Sequence, residues 1–126
     1  MSAVNSQCQV QSFAEVLQGV RESVEIECFD GRNRKFAEEL CLIIAEIHRL
    51  PLGTSVRIGG DDLPIDLVRD VYLGLRNEHI AAVIEKYSRI RYPIKYKKTY
   101  IRTALYAQIF EQESGEVNEF NSTFPK

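Results

Sequence analysis

The sequence is poor in the residues that build reactive or cross-linked sites: its 126 residues hold three cysteines, two histidines, one methionine and no tryptophan. Cys8, Cys28 and Cys41 are odd in number and lack CxxC spacing, which fits reduced thiols and argues against a disulfide framework. His48 and His79 stand at no spacing with a cysteine that suggests zinc, so no metal is expected. There is no P-loop, nucleophile elbow or dinucleotide fingerprint, and Gly59-Gly60 alone is too short to cradle phosphate. Neither enzymatic activity nor a cofactor is expected. No apolar run reaches the length of a bilayer, and the polar stretch Met1 to Gln11 lacks the cationic start and apolar core of a signal peptide. The expectation is a cytoplasmic protein with no membrane partner. Repeats and low-complexity tracts are missing as well.

What is present is enough for one core. A hydrophobic content of 44% over this length suits a single domain, expected over residues 12–112 between a flexible leader (1–11) and a flexible acidic tail (113–126). Ser12 and Glu15 form a capping box ahead of Phe13, Val16, Leu17 and Val20, predicting a first helix. Val24, Ile26 and Cys28 alternate with glutamates, a pattern open to a short strand, an extended link or another helical turn. Asp30-Gly31 reads as a turn. Phe36, Leu40, Ile43, Ile44 and Ile47 recur at helical spacing and predict a central helix from Asn33 to about Arg49, ended by Pro51 and Gly53. Residues 54–58 are β-prone and closed by Gly59-Gly60-Asp61-Asp62, predicting at most a very small ribbon.

Pro64 and Asp66 suit the start of a further helix whose buried side is Leu67, Val68, Val71 and Tyr72. Gly74 stops it, and Asn77 is placed to cap the next helix, striped by Ile80, Val83, Ile84 and Tyr87. His79, near that helix start, is expected to hydrogen-bond locally or to pack against the preceding turn, and Asp61, Asp62 and Asp66 are read as turn and helix-start charges. Tyr92-Pro93 breaks the chain before a last helix from about Lys97 to Gln112, with Ile101, Ala104, Leu105 and Ile109 inward. The fold class expected is therefore mainly α, a compact bundle of about five helices.

One further absence is local. Between Lys86 and Phe110 there is no Asp or Glu, but there are Lys86, Arg89, Arg91, Lys95, Lys97, Lys98 and Arg102. The chain as a whole carries −2, leaving about −9 for the rest, so a basic surface on an acidic body is expected. Tyr87, Tyr92, Tyr96, Tyr100 and Tyr106 alternate with these cations and could stack on bases beside phosphate donors. Lys98, Arg102 and Tyr106 follow at intervals of four and share one side of the last helix. The candidate binding residues are Lys95, Lys97, Lys98, Tyr100, Arg102 and Tyr106, with Lys86, Arg89 and Arg91 as a secondary basic surface. The bland alternative is that the tyrosines pack inward and the lysines are merely solvated.

An ordered set of motifs adds a resemblance. Val56-Arg57-Ile58-Gly59-Gly60-Asp61-Asp62-Leu63-Pro64 is followed by Leu67-Val68-Arg69-Asp70-Val71-Tyr72-Leu73-Gly74-Leu75. Then come Glu78-His79-Ile80-Ala81-Ala82-Val83 and Tyr100-Ile101-Arg102-Thr103-Ala104-Leu105-Tyr106. Together, from about Phe13 to Phe110, these resemble the C-terminal helical domain of RepA-type replication initiators of bacterial plasmids and mobile elements, a domain similar in fold to the C-terminal domain of the primosome protein DnaD. The resemblance implies docking of a helicase loader, helicase or primase, with single-stranded or duplex DNA as a further partner. In DnaD a tyrosine, an aliphatic residue and a tryptophan on the terminal helix are linked to DNA; Tyr100 and Leu105 match the first two, and this chain has no tryptophan. The winged helix that precedes the domain in full-length initiators does not fit within these residues, so origin recognition by that route is not expected of them. The family's Asn-Ala-Pro stop is replaced by Ala107-Gln108-Ile109-Phe110-Glu111, which predicts a longer last helix with Phe110 available to a partner. The alternatives are a protein-only adaptor that binds an acidic helix or its own copies, as a homo-oligomer, through the same surface, and a helix-turn-helix regulator of a mobile element.

Overall fold

A computed structural model describes residues 12–91 and 93–122, with side chains described through Glu111; the leader with Cys8, Tyr92 and residues 123–126 lie outside the described set. The first helix, α1 (Phe13–Ser23), is opened by the expected capping box. The Ser12 hydroxyl accepts from the Glu15 N–H at 3.1 Å, and the Glu15 carboxylate accepts from the Ser12 N–H at 2.9 Å. Glu25 takes a left-handed φ of 55° and turns the chain into a 3₁₀ turn, Ile26–Cys28. The alternating Val24-Ile26-Cys28 pattern is thus a tight connector, in which Val24 and Ile26 are buried and Cys28 is exposed.

Helix α2 (Gly31–Arg49) buries Ala37, Leu40, Cys41, Ile43, Ile44, Ala45 and Ile47, more than one stripe, because α1 and three later helices pack around it. It ends where Leu50 turns extended (φ −67°, ψ 144°) ahead of Pro51. Two strands follow, β1 (Ser55–Ile58) and β2 (Asp61–Pro64), antiparallel with Val56 opposite Leu63 and Ile58 opposite Asp61. The turn between them is shorter than expected. Gly59 and Gly60 form it alone at φ 59° and 91°, values that suit a two-residue hairpin and that glycine adopts without strain. Asp61 and Asp62 therefore belong to β2, and Asp62 lies 3.5 Å from Arg57 across the ribbon.

Pro64 caps α3 (Ile65–Tyr72), whose buried residues are Ile65, Val68 and Tyr72. Leu67, expected inside, is exposed, since a helix that turns Ile65, Val68 and Tyr72 inward puts Leu67 on its far side. At α4 (Asn77–Ser88) the cap is Arg76 rather than Asn77. The Arg76 N–H donates to His79 Nδ1 at 2.9 Å, while the Asn77 amide reaches Val24 O at 3.3 Å and ties α4 to the end of α1. The last helix, α5 (Lys97–Ser122), runs past the expected end at Gln112. Its sequence offers no proline before Pro125, and a single glycine, Gly115, costs only about 1 kcal/mol against alanine. Ile101, Leu105 and Ile109 join one hydrophobic cluster drawn from every helix and from β1. The architecture is a mainly α bundle of five helices with a small antiparallel ribbon. Among the described residues no helix is long and apolar enough to cross a membrane.

Candidate functional site

The start of α5 lies along one face of α2. On α2, Glu39, Leu42, Ile43 and Glu46 follow at three-, four- and seven-residue spacing and so share a side. The Lys97 ammonium stands 3.2 Å from the Glu39 carboxylate, Lys98 3.1 Å from Glu46, and Arg102 3.3 Å from the other oxygen of Glu46. Arg102 is the most enclosed of these cations, with its side chain 20% exposed, and its Nε–H is buried without an acceptor among the described residues. The Arg102 backbone carbonyl also accepts the hydroxyl of buried Tyr72 at 2.8 Å, which fixes this turn of α5 against α3.

The acid-free run is therefore acid-free only along the chain. Lys86 pairs with Glu111, and Arg89 pairs with Glu85 at 2.8 Å one turn earlier on α4. Arg91 and Lys95 are exposed and have no ion-pair partner among the described residues; Arg91 donates to Ser88 O at 3.1 Å, and Lys95 sits 5.4 Å from the Tyr96 ring. The broad basic field expected from the local charge count becomes a set of neutralised pairs plus a short cationic stretch at the α4–α5 connection.

The tyrosines divide similarly. Tyr87 packs 4.9 Å from Phe36 of α2 and 6.1 Å from Tyr100, and Lys97 lies 5.7 Å and 5.6 Å from the Phe36 and Tyr87 rings. These rings hold the helices together with a cation over them. Tyr100 keeps an outer edge, 36% exposed, and Tyr96 is 67% exposed. Tyr106 is half-buried and turns toward Phe110, 5.2 Å away, and Phe110 is itself exposed as expected.

Between α2 and α5 runs a groove of about 400 Å³, floored by Leu42, Ile43 and Ile101 and rimmed by Glu39, Glu46, Lys97 and Lys98. Beside it, sharing Glu46 and Lys98, lies a second hollow of about 410 Å³ formed with Phe13, Arg49, Leu50 and Arg102. Leu42 is 44% exposed, although its chain neighbours Cys41 and Ile43 are buried. Glu39, Leu42, Glu46, Arg49 and Phe13 were not among the candidates from the sequence. The only sequence signal for them was the seven-residue repeat Glu39–Glu46 beside a core stripe.

Other polar groups have structural jobs. Arg69 donates to Ile47 O at 3.2 Å and to Leu50 O, satisfying the carbonyl end of α2. His48 lines a separate hollow of about 370 Å³ among α1, α2 and α3; burial, and then the nearby Arg69, hold its pKa below the ordinary value. Burial, and then Glu38, push the Cys41 thiol up to about 11, leaving it a small buried hydrophobe.

No curated protein and no solved structure matches the chain. One family model, described as a family of unknown function, matches residues 2–122. That span takes in every helix and both strands, and the chain accordingly belongs to this family, DUF6017.

Proposed function

We propose that this domain is a noncatalytic, replication-associated module that docks a primosome protein, a helicase loader, helicase or primase, on the α2/α5 face. The observation that carries the docking part is the pairing of Lys97, Lys98 and Arg102 with Glu39 and Glu46 around exposed Leu42. Carboxylates beside the cations disfavour a phosphate backbone, whereas an apolar floor within a mixed-charge rim is the usual anatomy of a protein interface. The replication part rests on the ordered resemblance from Val56 to Tyr106.

Single-stranded DNA is a second reading, supported by the exposed stretch Arg91, Lys95 and Tyr96, where cations without ion-pair partners adjoin an open ring. A sequence-reading helix-turn-helix regulator is less favoured, since Ala81 and Ala82 of α4 offer no donors for base edges. The test is biolayer interferometry of the full chain against purified helicase loader, helicase and primase from the cell that carries it. One of them is expected to bind, and Leu42→Asp is expected to weaken that binding by about tenfold or more. Binding to none of the three would overturn the replication reading.

A further inference from the structure

The two hollows on the α2/α5 face differ in charge, and the difference specifies an occupant. In the apolar groove, Lys97 is matched by Glu39. In the neighbouring hollow, Glu46 is shared by Lys98 and Arg102, and Arg49 has no ion-pair partner among the described residues. One carboxylate thus faces three cations. The surplus lies beside Phe13 and Leu50, which line the same hollow. The unmatched Arg102 Nε–H points the same way, to a cluster with fewer acceptors than donors.

From this arrangement we infer that the α2/α5 face binds an amphipathic acidic helix of a partner protein. One aliphatic side chain of that helix sits over Leu42 and Ile43, and a carboxylate sits between Arg49 and Lys98. The spacing follows from α2 itself. Leu42 and Arg49 are seven residues apart, about 10 Å along the helix at 1.5 Å per residue. A helix laid along α2 therefore carries its aliphatic residue and its Asp or Glu seven positions apart, in either direction. A bidentate carboxylate suits the Arg49 guanidinium, and the surplus cations would steer such a helix in. Nucleic acid fits this face less well because Glu39 and Glu46 stand in its path. The inference rests on the docking reading only in taking this face as an interface, and it is independent of which replication protein binds.

The experiment is selection of a displayed helical-peptide library on the full chain, followed by fluorescence anisotropy of the enriched peptides. Enrichment of an aliphatic residue with Asp or Glu seven positions away is expected. Arg49→Ala should weaken the selected peptides about fivefold, and Arg49→Glu/Lys98→Glu should switch the selected charge from acidic to basic. Circular dichroism melting of each variant separates loss of binding from loss of fold. A pool with no acidic preference, no binder at all, or binders indifferent to Arg49→Ala would overturn the inference. So would displacement of the peptide by an oligonucleotide, or a dimer of this chain abolished by the double reversal, which would assign the face to DNA or to a second copy. If a replication protein binds through Leu42 but ignores Arg49 and Lys98, the docking reading stands and this inference falls. If acidic peptides bind and no replication protein does, the reverse holds.

Discussion

Replacing both acids of the α2 face, Glu39→Gln/Glu46→Gln, separates a basic surface from a neutralised one. The change removes two negative charges, taking the formal net charge from −2 to zero, with almost no change in shape. Lys97–Glu39 and Lys98–Glu46 join half-exposed partners, and such pairs are worth about 0.5 kcal/mol each. Arg102–Glu46 is more enclosed, and leaving that guanidinium with fewer acceptors adds about 1 kcal/mol. The expected loss is about 2 kcal/mol, a fall of about 10 °C in the melting temperature of a domain this size, readable by calorimetry or circular dichroism. At the same time Lys97, Lys98 and Arg102 are released, so affinity for a single-stranded oligonucleotide at low salt should rise about tenfold and collapse again as salt increases. An unchanged melting temperature would refute the pairing, and an unchanged oligonucleotide affinity would refute the argument that these acids mask the cations.

Three further outcomes are expected. Tyr72→Phe should cost about 1 kcal/mol in chemical denaturation, since it deletes the donor to Arg102 O. Burial also raises the Tyr72 pKa well above 10.0, so the unfolded chain releases this proton first, stability falls as pH climbs past 10, and the variant should flatten that alkaline limb. His48 has the opposite pattern: its folded pKa is held below 6.5, so the unfolded chain gains the proton first. Stability should decline as pH falls through 6.5, and His48→Gln should remove that slope from denaturation midpoints measured between pH 7 and 5. Finally, a thiol reagent at pH 8 should label exposed Cys28 and spare buried Cys41 until denaturant is added, an order that peptide mass spectrometry resolves.

The elements that could be read in the sequence are those whose causes are local. The Ser12–Glu15 box, the Phe36-to-Ile47 periodicity, the β-prone run ending in paired glycines and the break at Leu50-Pro51 each act within one or two helical turns, and each produced the expected element. Where a face had to be chosen, local pattern was insufficient. Leu67 looks as apolar as Val68, but docking against α2 selects Ile65, Val68 and Tyr72 and leaves Leu67 outside. The same limit governs the candidate site. A charge count from Lys86 to Phe110 sees only neighbours in sequence, whereas the acids that neutralise Lys97, Lys98 and Arg102 come from a helix more than fifty residues earlier. At about 3 Å such a carboxylate outweighs any charge a Debye length away. The functional reading of this surface therefore turns on how α2 and α5 are paired: Lys97, Lys98 and Arg102, which looked free, are anchors of a mixed-charge groove, whereas Arg49, Arg91 and Lys95 have no ion-pair partner among the described residues, a difference that their neighbours in the chain do not reveal.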